Sequence, residues 1–204
     1  MRLEVSDLRV ERGGRRVIDG LNFLLRSGEA LIVTGPNGAG KSTLLRALAG
    51  LLPVAAGRIA IEDGEDAPSP REIAHYVGHA DGNKASLTPR ENLAFCGAML
   101  ALQQGGASAA ALAEALAAFA LQPLADLPLA VLSAGQKRRV ALARLLVAPR
   151  PLWLLDEPTT ALDAAAQAQL MEQMQIRLEQ GGMIVAATHG ALDLRNARHL
   201  ALRH

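Results

Sequence analysis

The sequence predicts an α/β domain with a parallel sheet, a β-rich beginning and a helical insertion in its middle. Three observations predict it. The apolar run Ala30-Leu31-Ile32-Val33 leads into a glycine-rich loop and then into Leu44-Leu45-Arg46-Ala47-Leu48-Ala49, whose apolar residues recur at helical spacing. Further on, Leu152-Trp153-Leu154-Leu155, the segment from Ala164 to Gln180, and Met183-Ile184-Val185-Ala186-Ala187 read as strand, helix, strand. A right-handed crossover of that kind places the two strands parallel in one sheet. Between these regions, from Thr88 to Ala120, alanine-rich helix formers replace strand formers.

Taken in order, residues 1 to 70 read as short strands with a Gly13-Gly14 hairpin turn, the glycine-rich loop with its helix, and another strand pair around Gly57-Arg58-Ile59-Ala60-Ile61. At Thr88-Pro89-Arg90-Glu91 the threonine can cap a helix, the proline suits its first position, and the glutamate completes a capping box. Two helical segments follow, Asn92 to Leu102 and Ala107 to Ala120, joined by the flexible Gln103-Gln104-Gly105-Gly106. The expected organisation is one domain over 1–204, with the helical part at 89–145 and the sheet-bearing core at 1–88 and 146–204. A chain of 204 residues with 50% hydrophobic content can bury a large core. With 2% aromatic residues that core must be mostly Leu, Ala, Val and Ile.

Composition also excludes function classes. Lys+Arg 21 against Asp+Glu 20 leaves a net charge of +1, which gives no electrostatic case for nucleic acid. Cys96 is the only cysteine, so an internal disulfide and a thiolate metal cluster are both excluded within one chain, and a small buried apolar role is expected for it. The first residues carry acids and lack an apolar leader core, and no uncharged apolar stretch reaches the roughly 18 residues that a membrane helix needs. A cytoplasmic chain that does not itself span a membrane is expected.

The loop Gly35-Pro36-Asn37-Gly38-Ala39-Gly40-Lys41-Ser42-Thr43 fits the pattern G-x-x-x-x-G-K-[ST] without adjustment, between a strand and a helix as the pattern requires. Its glycines let successive N–H groups turn toward one point, and the helix N-terminus adds partial positive charge, so a polyphosphate can bind there. Lys41 would reach the β- and γ-phosphates and Ser42 would take a place on Mg²⁺. The strand 152–155 ends in Asp156-Glu157. Strand alternation sends neighbouring side chains to different sides, so Asp156 can hold Mg²⁺ while Glu157 acts as general base toward the attacking water. After the next strand, His189 can donate a hydrogen bond to the γ-phosphate. Leu132-Ser133-Ala134-Gly135-Gln136 reads as a second phosphate-facing loop, half of a site rather than a whole one.

In this order the motifs resemble the nucleotide-binding subunits of the ABC ATPases over essentially the whole chain. The resemblance implies a P-loop NTPase with a RecA-like parallel-sheet core, an N-terminal antiparallel β subdomain and an inserted α-helical subdomain. It implies ATP and Mg²⁺ as ligands, and a dimer in which two subunits sandwich two ATP molecules head to tail. Ser133 and Gly135, helped by the helix starting near Gln136, would act on the ATP held by the other subunit. Thr160-Ala161-Leu162-Asp163 would be the D-loop, bringing Asp163 to the site. Lys137-Arg138-Arg139 is expected to be mainly a solvated face.

Two positions depart from the common pattern. The aromatic residue that usually stacks on adenine aligns near Arg12, whose guanidinium plane can stack in its place, and the usual Q-loop glutamine aligns with His79. With Lys84 and Leu87-Thr88-Pro89-Arg90-Glu91-Asn92-Leu93, these departures resemble the ATP-binding subunits of bacterial cytochrome c maturation haem exporters. That narrower resemblance implies peripheral attachment at the cytoplasmic face of the inner membrane through integral subunits like CcmB and CcmC, with hydrolysis releasing the haem-loaded chaperone CcmE. Haem binding by this chain itself is not expected. The rival readings are an ATPase subunit for another small solute, a soluble ABC protein acting on ribosomes or DNA, and a nucleotide-binding regulator without turnover.

Overall fold

A computed structural model describes residues 1–62, 68–100, 107–148, 150–190 and 192–202. The chain divides into two compact units: residues 1–78, 150–158 and 174–204 form one, and residues 79–149 and 159–173 the other.

The first unit holds two sheets. In the antiparallel sheet, β1 (Arg2–Arg12) and β2 (Arg15–Arg26) form a hairpin, and β4 (Ala56–Glu62) pairs with the other edge of β1. The turn between β1 and β2 is Gly13-Gly14, both with positive φ (56° and 73°), a conformation that costs glycine little. The strands of the hairpin are long, not short as expected. Register shifts between Val5 and Glu11 break the alternation that marks a long strand, with Asp7 in the left-handed region at φ 48°. Among the described residues the stretch around Gly57 supplies one strand, β4, whose partner is β1, and residues 63–67, where a second strand of the expected pair would fall, lie outside them. Leu3, Val5, Leu8 and Val10 of β1 turn inward and are buried.

The second sheet is parallel, in the order β5-β6-β7-β3-β8. Its strands are β3 (Ala30–Thr34), β5 (Ala74–Val77), β6 (Leu152–Asp156), β7 (Met183–Ala187) and β8 (Ala197–Ala201). β6 and β7 are buried at every residue, as strands covered on both faces must be, which is why they read as continuous apolar runs. Helix α1 (Lys41–Leu48) follows β3 and packs on β6 and β7. Four-residue α2 (Pro70–Ile73) precedes β5, and α6 (Ala164–Glu179) makes the crossover from β6 to β7. Val33 and Asp156 are both in register with Ala187, so the carboxyl ends of β3, β6 and β7 lie level along one edge of the sheet. Ligands of open α/β sheets bind at such an edge.

The second unit contains α3 (Pro89–Leu100), α4 (Ala109–Ala118) and α5 (Ala134–Val147), with α5 packed against both others. The capping box at α3 is formed: Thr88 N–H donates to Glu91 Oε2 at 2.8 Å and Glu91 N–H to Thr88 Oγ1 at 3.2 Å. α4 ends at Ala118, short of the expected Ala120, which has turned to φ 48°. The expected joint at Gln103–Gly106 and the end of the first segment at Leu102 lie outside the described residues.

Lys137-Arg138-Arg139 is not a solvated face. Arg138 is 3% exposed and pairs with Asp81 at 3.0 Å, Arg139 Nη1 donates to Phe119 O at 3.2 Å, and Lys137 Nζ to Ala130 O at 3.4 Å. With α3 and α4 both packed on it, α5 keeps little surface for charge, so its cations turn inward to anion and carbonyl acceptors. The same helix holds the segment after His79, through Arg144 Nη1 to Gly82 O at 3.4 Å and Asn83 Nδ2 to Lys137 O at 2.9 Å. Burial pulls the Arg144 guanidinium below its ordinary range, with Cys96 and Asp81 nearby acting the other way. Cys96 itself is half-buried, short of the full burial expected.

Losing one partner of a buried pair strands the other charge. We therefore expect Asp81→Ala to destabilise the protein by about 2 kcal/mol and to lower its melting temperature by roughly 5 °C. Arg138→Met, which removes the stranded charge as well, should cost less. Calorimetry of the two variants checks the order.

Candidate nucleotide-binding site

The loop Gly35–Thr43 joins β3 to α1 and depends on glycines at two close approaches. Gly35 has φ 147°, and a Cβ there would sit 2.6 Å from Leu202 O. Gly40, at φ 97°, would place one 2.9 Å from Val17 Cγ1. Gly40 stands at the N-cap of α1 without a side chain to satisfy the first N–H groups, so that end of the helix keeps its donors for an anion. Pro36, Asn37 and Gly38 are exposed, whereas Ala39, Gly40, Lys41 and Thr43 are buried.

Lys41 Nζ donates to Gly35 O at 2.7 Å and Pro36 O at 3.2 Å, and lies 3.1 Å from His189 Nε2. An ammonium can only donate, so in this contact Nε2 stands on the acceptor side. The same ring stands 3.6 Å from Glu157 Oε1, and His189 N–H donates to Glu157 Oε2 at 3.4 Å. Lys41, Glu157 and His189 thus form one cluster at the carboxyl edge of the sheet.

Asp156 and Glu157 do point to different places, but not by strand alternation. β6 ends at Asp156, and Glu157 has left the strand with φ 48°, its N–H donating to Ala187 O at 2.8 Å. A left-handed conformation is uncommon outside glycine, so the bond to Ala187 and the packing around it must hold this turn. Asp156 consequently remains inside, 2% exposed, while Glu157 reaches His189. Ser42, the second residue of α1, is half-buried. Ser42 and Asp156 are hard oxygen donors, which suit Mg²⁺. Among the described residues no group of three or more His, Cys, Asp or Glu could hold a metal. This donor set fits a Mg²⁺ site in which a nucleotide and water complete the shell.

Ser133, Gly135 and Gln136 lie in the second unit at the start of α5, which begins at Ala134. Ser133 Oγ accepts from Gln136 N–H at 3.2 Å and Ser133 N–H donates to Gln136 Oε1 at 2.8 Å, a complete capping box. A Cβ on Gly135 would fall 2.7 Å from Ala161 O, so only glycine lets this turn approach the 160–163 loop. Asp163 Oδ1 accepts from Ala166 N–H at 2.8 Å and so caps α6. Arg12 is exposed at the end of β1, opposite Arg15 across the hairpin, and His79 is exposed at the start of the second unit. Two groups that sequence reasoning missed stand at Asp156: Tyr76, which hydrogen-bonds to it, and Arg46, whose Nε donates to the Tyr76 hydroxyl at 3.3 Å. Tyr76 is the only tyrosine of the chain, which is the one signal the sequence offers.

A parallel sheet with an antiparallel companion, a phosphate loop at its edge and a serine-capped second loop on a helical unit define an ATP-binding domain of the ABC type. The ABC transporter family model matches residues 18–160, and the chain belongs to that family. Within it the chain belongs with the CcmA proteins. It is 48% identical over 203 residues to the cytochrome c biogenesis ATP-binding export protein CcmA of Rhizobium meliloti (strain 1021), covering 99% of this chain and 98% of the relative. The protein of the same name from Nitrobacter winogradskyi is 50% identical over 202 residues, again covering 99% and 98%. A solved dimeric ATP-binding cassette in a post-hydrolysis state, bound to ADP and phosphate, shares the fold at a TM-score of 0.82 and 24% identity, covering 99% of this chain and 97% of that one. The chain is an ATP-binding, ATP-hydrolysing ABC subunit. Among the described residues no helix is long and apolar enough to cross a membrane.

Proposed function

We propose that the chain is the ATPase subunit of a haem-exporting ABC transporter of cytochrome c biogenesis, and that its own residues do the following work. Lys41 and the N–H groups of 35–43 bind the β- and γ-phosphates, the ammonium exchanging loop carbonyls for phosphate oxygens. Ser42 and Asp156 hold Mg²⁺, which when bound offsets phosphate charge. Glu157 accepts the proton of the attacking water, and His189 hydrogen-bonds the γ-phosphate. The observation that carries this reading is the Lys41–His189–Glu157 cluster, which sets an ammonium, an imidazole and a carboxylate at the edge where the loop opens.

In the same reading the chain works as one nucleotide-binding domain with its helical part at 89–145. It pairs with a second copy that offers Ser133, Gly135, Gln136 and Asp163 to the ATP opposite. Support for pairing comes from the dimeric state of the solved relative in fold. Arg12 stacks on adenine and His79 takes the place of the Q-loop glutamine. The CcmA relatives, named for export in cytochrome c biogenesis, support attachment at the cytoplasmic face of the inner membrane through CcmB- and CcmC-like subunits.

Purification from membranes in mild detergent tests the assignment. Small multi-span subunits and a haem-binding chaperone should be recovered with the chain, and recovery with ribosomes instead would overturn the transporter reading. The purified chain titrated with haem should show no stoichiometric Soret band. A band that disappears on His79→Ala would count against the proposal.

A further inference from the structure

A carboxylate as buried as Asp156 needs donors to hold it. Tyr76 lies on β5, next to β6 in the sheet, with Tyr76 in register with Leu154 and Val77 with Leu155. Its hydroxyl has a single hydrogen and two polar neighbours. Arg46 can only donate, and its Nε already donates to the Tyr76 oxygen at 3.3 Å. The hydroxyl hydrogen therefore goes to Asp156, giving a directed chain from Arg46 through Tyr76 to the carboxylate. The ring has little freedom to leave this position. A Cβ on Gly78 would stand 3.0 Å from the Tyr76 oxygen and 3.2 Å from two of its ring carbons, so the glycine leaves space that the phenol fills.

We propose that Tyr76 is a positioning residue for the metal-binding carboxylate: with Arg46 behind it, its hydroxyl fixes the orientation in which Asp156 meets Mg²⁺. Tyr76 itself touches neither metal nor nucleotide. The inference rests on the reading of Asp156 as a Mg²⁺ ligand. Groups that hold a ligating carboxylate in place are commonly worth tenfold or more in metal affinity.

The test uses Tyr76→Phe in the full chain, which keeps the ring against Gly78 and removes only the hydroxyl. Mn²⁺ serves as the probe, its free concentration followed by electron paramagnetic resonance in the presence of ATP. ATP binding in excess chelator is measured in parallel. We expect Mn²⁺ affinity to fall about tenfold while metal-free ATP binding stays at the wild-type value. Loss of both together, or of neither, overturns the proposal. Should Tyr76→Phe not fold, Arg46→Met, which removes the donor behind the hydroxyl, must weaken Mn²⁺ binding in the same selective way, and wild-type Mn²⁺ affinity in it overturns the proposal equally. Asp156→Asn separates the metal-ligand role of Asp156 from the positioning role of Tyr76. If it binds Mn²⁺ as wild type does, Asp156 is no metal ligand and the positioning role falls with that reading. If it loses the metal while Tyr76→Phe does not, only the positioning role fails.

Discussion

Glu157→Gln should slow ATP hydrolysis by about 10² to 10⁴ and leave ATP binding intact. Gln has the shape of Glu and can keep the left-handed turn at φ 48° that carries the side chain off β6. Its amide oxygen can still accept from His189 N–H, a bond now 3.4 Å long. What an amide cannot do is take a proton from water, so the variant removes the base and little else. The expected signature is a fall in the rate of phosphate release with an unchanged affinity for a fluorescent ATP analogue. Hydrolysis at the wild-type rate would refute the base assignment. A loss of nucleotide affinity with no slower turnover would instead make Glu157 a support for His189, which stands beside it and meets Lys41.

The parts of this protein legible in its sequence are those whose signals are local. β3, α1, β6, α6 and β7 follow from apolar runs, helical spacing and the loop pattern, because burial on both faces or on one stripe writes itself into neighbouring residues. The capping box at Thr88 is legible for the same reason, and Ser133-x-x-Gln136 carries an equal signal for the start of α5. What the sequence conceals depends on partners far along the chain. Register shifts on β1, where Asp7 meets the backbone at Gly57, hide one long strand as several short ones. Arg138 looks like a surface charge until Asp81 stands against it in the middle of a helical layer. At the site, the residue types and their order were legible, but not how they are aimed. Alternation predicts that Asp156 and Glu157 diverge, yet a backbone turn beyond the strand is what separates them. Tyr76 and Arg46 have no motif at all, since holding a carboxylate demands only a donor at the right place.

The second large effect concerns which subunit completes which site. Lys41→Ala removes the ammonium that binds phosphate in its own loop. Ser133→Asp keeps the cap of α5, because Asp caps as well as Ser, but sets a negative charge where the γ-phosphate of the opposite subunit would lie. If the second loop served the ATP of its own chain, each variant would be inactive and any mixture would be too. If it serves the partner's ATP, each variant alone falls by about 10² or more, as removal of single donors to developing phosphate charge does. A coexpressed mixture then recovers. In a mixed dimer, the intact loop of the Ser133→Asp chain faces the intact Ser133 of the Lys41→Ala chain. With half the dimers mixed and one of two sites whole in each, activity should return to about a quarter of wild type if the sites are independent. The double variant Lys41→Ala/Ser133→Asp supplies the control: mixed with wild type it forms dimers with no whole site, so activity must fall with its share. Recovery in the first mixture and dilution in the second, both measured in the membrane-assembled complex, would fix Ser133 as a group that acts across the dimer. Failure of the first mixture to recover would leave the loop's action within its own chain.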